Sequence, residues 1–495
     1  MSEMSRRTVL RGGIGVAAGA AVAAGPFQGF LARAASADHG PPNNTLVPIA
    51  DLRDGQVRLH LPAGFQYRSF HDTEFPVVLD DGTALPGRHD GMAAFRGPNG
   101  SVVLVRNHEV NGPVAAAFGP GTPYDSRTGG GTTTIVVSKF GEVQSAFTSL
   151  NGTQMNCAGG RMPWGSWISC EETVNGPDVG PDFTGASNVT LTQRHGFIFE
   201  VPASAVPATG QSSRVPITRA GRFAHESVAF DPHDGILYLT EDNFGYPSGL
   251  YRYIPKHNPM KTGRLDNEGR LQMLAVIGMP NVNLATAQPA KAKYKVEWVD
   301  IDDPAPTFPF TPGVPAPTTN DQALNYVGNQ GRAKGAAWFS RLEGSVIDGN
   351  RLFFCSTQGG GPAETGPSDT VGGFGNGSGQ VWSYHLRSGR LELVFESPGP
   401  DVLDFPDNVT TRGKRDTLVL CEDNVNDNYL RGLTKDGKLF DIGLNRLISS
   451  TGAVRFNDEF AGATFDPDGD TLFVNIQASR GMTFAIWGPW DKIGV

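Results

Sequence analysis

One hairpin recurs six times along the chain, and this repetition limits the possible architecture more than any other feature. The copies read HDGMAAFRGPNGSVVLVRNHE (89–109), NCAGGRMPWGSWISCEE (156–172) and HESVAFDPHDGILYLTEDN (225–243). They continue as EGSVIDGNRLFFCSTQGG (343–360), DNVTTRGKRDTLVLCEDN (407–424) and EFAGATFDPDGDTLFVNIQ (459–477). Each has a small or acidic start, a short strand, a Gly, Asp or Pro turn, an alternating strand and a polar end. Asn-Gly and Asp-Gly between apolar alternations are hairpin turn chemistry. Further strand pairs follow several copies, such as GLYRYIP (249–255) and GQVWSYHL (379–386). Copies lie roughly 55 to 70 residues apart, the size of a four-stranded blade with its loops. The spacing therefore predicts an all-β chain folded as a six-bladed β-propeller, with a two-sheet sandwich as the competing fold.

One gap is longer, about 115 residues, and holds a Pro-rich stretch that includes DDPAPTFPFTPGVPAPTT (302–319). It predicts an insertion over about 257–335 within a single domain spanning 45–495. Composition agrees with a strand-rich chain: charged residues are 18% of the 495, while Gly (64) and Pro (36) are abundant. A net charge of -9 and the lack of a basic stripe argue against a nucleic-acid partner.

At the N-terminus, Ser5-Arg6-Arg7-Thr8-Val9-Leu10-Arg11 is a twin-arginine pattern before a weakly apolar run, Gly12 to Ala24. Small residues at Ala32, Ala34, Ala35 and Ala37 offer cleavage sites, so residues 1–37 are expected to be a twin-arginine signal peptide. The expected partner there is the twin-arginine export machinery, and the expected location is periplasmic or extracellular. No second apolar stretch has the roughly 18 residues of a membrane span. Four cysteines in an exported chain, Cys157, Cys170, Cys355 and Cys421, leave a disulfide open; Cys355 and Cys421 also read as core thiols.

In a propeller, equivalent strand positions of successive blades converge on one axis. The strand starts would bring Asp90, Asn156, Glu226, Glu343, Asp407 and Glu459 there. The strand ends would bring Glu109, Cys170 to Glu172, Glu241 to Asn243 and Glu422 to Asn424. So many carboxylates in one channel repel unless cations intervene. Oxygen donors suit calcium, and a thiolate such as Cys170 suits a softer or redox-capable metal, iron or zinc. Taken alone, Glu171 and Glu172 read more often as solvated loop residues than as ligands, and His108 and His225 could be ligands or hydrogen-bonding neighbours of ligands. Asp466-Pro-Asp468-Gly-Asp470 reads as a hairpin turn and not as a calcium loop. Arg341 stands two residues before Glu343 on the same strand face, where it could clamp an oxyanion or pair with a neighbouring carboxylate.

Taken in order, NCAGGRMPWGSWISCEET, HESVAFDP with LTEDN, RLEGSVIDG, PDNVTT with LVLCEDN, and EFAGATFDPDGDTLFVNIQ with AIWGPW resemble the PhoX-type alkaline phosphatases. The likeness runs from about residue 90 to the C-terminus. It implies a six-bladed propeller with an iron (Fe3+) and calcium (Ca2+) cofactor in the central channel. By that resemblance Cys170 is an iron ligand, and Glu226, Glu343, Asp407 and Glu422 are metal ligands. Glu171 follows as a further ligand, with Glu172 behind it, and Arg341 becomes the phosphate-contacting arginine. The implied activity is hydrolysis of phosphate monoesters to release inorganic phosphate, with a metal-activated oxygen nucleophile and the arginine clamp. Two alternatives stand beside it: a calcium-dependent lactonase or esterase on the same scaffold, and a non-catalytic binding propeller.

Overall fold

The computed structural model describes residues 44–364, 373–413 and 415–495; the signal segment 1–37 lies outside the described residues. Strands β1 (Leu46–Ala50), β2 (Val57–Pro62) and β3 (Gln66–Phe70) come first. An antiparallel meander follows, of β4 (His89–Arg96), β5 (Val102–His108), β6 (Gly130–Val137) and β7 (Val143–Thr153). The next sheet has β8 (Asn156–Met162), β9 (Ser166–Glu171) and β10 (Ile198–Pro202). Then come β11 (His225–Asp231), β12 (Ile236–Glu241), β13 (Leu250–Ile254), β14 (Arg270–Val276) and β15 (Lys293–Asp300). They are followed by β16 (Leu342–Asp348), β17 (Arg351–Ser356), β18 (Gln380–His385) and β19 (Arg390–Glu396). The chain ends with β20 (Pro406–Thr411), β21 (Thr417–Glu422), β22 (Tyr429–Thr434), β23 (Leu439–Asn445), β24 (Glu459–Phe465), β25 (Thr471–Gln477) and β26 (Met482–Trp487).

Every repeated hairpin begins a sheet, and the opening strands form a closed ring. β4 packs on β8, β8 on β11, β11 on β16, β16 on β20, β20 on β24, and β24 returns to β4. Apolar clusters fill the spaces between successive sheets. Val103 and Val105 meet Trp167 and Phe199 in one space, while Val102 and Leu104 meet Phe473 and Ala485 in the next. Leu237 and Leu239 likewise face one neighbour and Tyr238 the other. Both faces of a sheet are therefore buried, and the period-two alternation chooses between two apolar neighbours instead of between core and water. The ring surrounds a cavity of about 490 Å³ lined by Gly91, Gly160, Val228, Ser345, Val409 and Ala463. This arrangement is a β-propeller-like fold. An early strand completes it: β3 pairs with β26, so the last sheet joins a strand near the start of the described residues to the final hairpin.

The Pro-rich gap is only partly an excursion. β14 is the fourth strand of its own meander, and β15 pairs with both β14 and β19, joining two sheets into one of nine strands. Helix α1 (Pro259–Thr262) lies between β13 and β14, and after β15 the chain returns through helix α2 (Asn320–Ala333). Thr319 and Gln322 form a capping box on α2, which seats Ala323 and Leu324 on Val174, Val179 and Ala224 beside the ring. No helix among the described residues is long and apolar enough to cross a membrane.

Candidate metal centre

A β-bulge recurs at the start of the opening strands, and it aims the polar side chains. Pairing skips two residues after His89, Asn156, His225, Leu342 and Pro406. The extra residues are Asp90-Gly91, Cys157-Ala158, Glu226-Ser227, Glu343-Gly344 and Asp407-Asn408. A bulge bends the strand and re-aims one side chain. Here it presents Asp90, Cys157, Glu226, Glu343 and Asp407 from one column of the repeat. The sixth copy holds Gly462 and Ala463 at this place, and its acid is Glu459, farther upstream.

The ring brings Cys157, Glu226, Glu343, Asp407 and Glu459, but not Asp90, together with further acids into three groups, in each of which one donor atom per residue lies within 4.8 Å of the others. They are Glu109, Cys157 and Glu172; Glu226, Glu343 and Asp407; and Asp407, Asp423 and Glu459. All of these residues are buried. Cys157 Sγ donates to Glu172 Oε2 at 2.8 Å. Burial, then Glu172 and Glu226, push the Cys157 thiol well above its ordinary value. Burial followed by Glu343 and Asp407 raises the Glu226 carboxyl likewise, and Glu226 Oε2 has no hydrogen-bond partner. Such a set tolerates ionisation only with cations among the donors. The donor chemistry is hard oxygen on one side and oxygen with thiol on the other.

Arg341 joins the second group. Its Nε and Nη2 donate to Asp242 Oδ1 and Oδ2 at 3.1 and 2.8 Å, and Nη2 also donates to Glu343 Oε1 at 2.9 Å. Nη1 donates to Gln358 Oε1 at 3.3 Å, and the guanidinium lies over the Phe244 ring, 4.9 Å from its centre.

The remaining expected ligands are placed differently. Cys170 precedes Glu171 on β9, so its side chain takes the opposite sheet face and packs with Ile168, Ile198 and Phe223 in the space between sheets. It is not brought to any of the three groups; the thiol among them is Cys157. Glu171 Oε1 accepts from Gln154 N (3.0 Å) and His195 Nδ1 (2.6 Å), and Oε2 accepts from Gly196 N and Phe197 N. Glu422 accepts from Arg431 Nε at 2.9 Å and from the amides of Asp404 and Tyr429. Burial raises its pKa to about 6 against the pull of Arg431. Glu241, in the same repeat position, accepts from Gly249 N and Tyr251 Oη. The last residue of the second strand thus ties the hairpin to its sheet, and the residue after it (Glu172, Asp242, Asp423) faces the axis.

Of the two histidines, His108 is engaged at both ring nitrogens, while His225 Nδ1 is buried without a hydrogen bond. His108 bonds the Gly87 carbonyl and Thr133, and His225 bonds the Gly221 carbonyl and stacks on Phe223. Asp466 behaves as a turn residue, accepting the amides of Asp470 and Thr471. All four cysteines are free and buried. Counting each copy from its bulge, instead of from its strand end, would have put Cys157 in the column of Glu226, Glu343 and Asp407.

A β-propeller-like ring with buried acids, a thiol and an arginine gathered at its axis defines a protein built around an axial metal-type centre. The alkaline phosphatase PhoX family matches residues 45–146 and 132–479, and the chain belongs to that family of phosphoric monoester hydrolases. Among solved structures it is similar to Pseudomonas fluorescens PhoX in complex with vanadate, a transition state analogue. The two are 16% identical with a TM-score of 0.62, over 92% of this chain and 99% of that one. A gluconolactonase from Xanthomonas campestris is 13% identical with a TM-score of 0.35, over 90% of this chain and 98% of that one. No curated protein sequence matches the chain.

Proposed function

We propose that this phosphatase hydrolyses phosphate monoesters outside the cytoplasm, using calcium ions and a softer metal, iron, held at the ring axis. The supporting observation is the contact of Arg341 with Glu343, which ties an anion-binding side chain to the buried Glu226, Glu343 and Asp407 group. Glu226, Glu343, Asp407, Asp423 and Glu459 would hold calcium, and Cys157 with Glu109 and Glu172 would hold the softer metal. Bound metals would supply positive charge against the phosphate oxygens and an activated water at neutral pH. Arg341 would contact a phosphate oxygen, while Asp242 on its Nε–Nη2 edge and the Phe244 ring fix the plane of the guanidinium before substrate arrives. Glu171, Glu241 and Glu422 keep the strand ends in place, so the axial donors are arranged in advance. Residues 1–37 would direct export by the twin-arginine route.

Purified, metal-loaded protein should turn over p-nitrophenyl phosphate in the presence of calcium. Arg341→Ala should lower kcat/KM by about 100-fold or more, the effect of removing one preorganised donor. Absence of turnover under every metal condition would sink the phosphatase reading, and undiminished kcat/KM in Arg341→Ala would remove the clamp from it.

A further inference from the structure

The repeat that places Arg341 has a second arginine in the same position. Arg88-His89-Asp90-Gly91 and Arg341-Leu342-Glu343-Gly344 share one pattern, each arginine standing two residues before the bulged carboxylate. Both arginines have left-handed backbones, φ 50 for Arg88 and φ 39 for Arg341. Met155 (φ 49) and Phe405 (φ 51) hold the same conformation two residues before Cys157 and Asp407, so it belongs to the repeated bulge and sets where the side chain at this position starts. β4 and β16 lie across the ring from one another, with β8 and β11 between them on one side and β24 and β20 on the other. The two arginines thus enter the axial region from opposite walls.

Arg88 is 5% exposed. Its Nε donates to the Glu109 carbonyl at 2.7 Å, while Nη2 is buried without a hydrogen bond. Nη2 stands 3.5 Å from Glu109 Oε2, beyond good hydrogen-bond length, and Glu109 belongs to the group with Cys157 and Glu172. A buried guanidinium nitrogen with no acceptor is unfavourable unless a ligand completes it. Arg341, by contrast, already has carboxylate oxygens on Nε and Nη2. An oxyanion at the axis, arriving between the two walls, would give Nη2 a closer acceptor than its ion-pair partner Glu109 at 3.5 Å.

We propose that Arg88 is a second phosphate-binding arginine, holding the phosphoryl oxygens on the side of the ring opposite Arg341. This rests on the phosphatase reading. It assigns Arg88 to the ester in the ground state and to inorganic phosphate as product, so its loss appears in KM and in product inhibition. A charge-assisted hydrogen bond from a buried donor carries about tenfold or more in affinity.

The test uses metal-loaded protein and inorganic phosphate as the probe. Competitive inhibition constants and the phosphate-induced rise in melting temperature are measured for wild type, Arg88→Met, Arg88→Lys and Arg341→Ala, with elemental analysis of each. Arg88→Met should weaken phosphate about tenfold or more and shrink the melting shift, with metal content unchanged. Arg88→Lys keeps the charge toward Glu109 but loses the fork, so it should recover only part of the affinity. Unchanged phosphate affinity in Arg88→Lys overturns the proposal even if Arg88→Met does not fold. Metal lost in step with phosphate affinity also overturns it, because Arg88 would then act through Glu109. If wild type neither turns over ester nor binds phosphate, the phosphatase reading has failed, and the proposal with it.

Discussion

Cys157 and Cys170 belong to one hairpin yet occupy opposite chemical worlds. Cys157 lies in the bulge against Glu172, and Cys170 lies among Ile168, Ile198 and Phe223. Their substitutions should separate cleanly. Cys157→Ser should lower transition-metal content, read by elemental analysis, with little change in unfolding midpoint of the metal-free protein. Cys170→Ala should keep the metal and lose about 1–3 kcal/mol of stability in a denaturant titration, as core truncations do. His195 gives a pH dependence at the same scale. Burial would lower its pKa, but Glu171 and Asp125 prevail and raise it from 6.5 to about 9. A histidine whose folded pKa is raised contributes stability that is complete below 6.5 and is lost as pH rises through about 9. The stability difference between wild type and His195→Gln should therefore shrink across that window, measured as unfolding midpoints at fixed ionic strength.

At the scale of the element, the bulge is the unit that makes the site. It needs a small residue behind the aimed carboxylate, because adjacent opening strands touch there. A Cβ on Gly344 would lie 2.7 Å from Asn408 Cα and from Val409 N, and one on Gly91 would lie 2.4 Å from Ala158 Cα. Neither neighbour is a flexible side-chain end, so Gly344→Ala should cost about 1–3 kcal/mol by overpacking. It should also weaken metal retention, since Glu343 and Asp407 flank the contact; dialysis followed by elemental analysis reads this. The hairpins were legible in the sequence because their alternation and turns are local. The bulges were not, since an extra residue in one strand shows only against the strand it pairs with. The bulge in β8 brings Cys157 to Glu172, so the axial thiol comes from the opening strand and not from the second strand, where Cys170 lies.

At the scale of the whole molecule, closure depends on an early strand, β3, pairing with the last one, β26. β3 supplies the outer strand to β24, β25 and β26, and Phe70 packs with Phe473 and Ala485. Removing residues 44–70 would expose the β26 edge and open the ring. The truncated chain should aggregate or unfold without a cooperative transition, checked by size-exclusion chromatography and thermal melting. The Pro-rich gap gives the complementary lesson. Its loop character was legible, but β14 and β15 within it gained their place from neighbours: Met273 pairs with Tyr251 and with Val299, and Tyr294 pairs with Leu391.

The sequence by itself determined the strand-rich repeat, the turns, and the family through motifs held in order. It also determined which residue types were available: acids, four cysteines and the arginine before Glu343. Each of these rests on local chemistry, which a linear chain carries in full. Only the tertiary structure decided which of them meet. Ring closure sets residues from two or three neighbouring hairpins within 4.8 Å in each group, and the bulges select one side chain from each pair of neighbours. Both depend on pairing between strands far apart in sequence, so Glu226, Glu343 and Asp407 become one site and Cys170 becomes core.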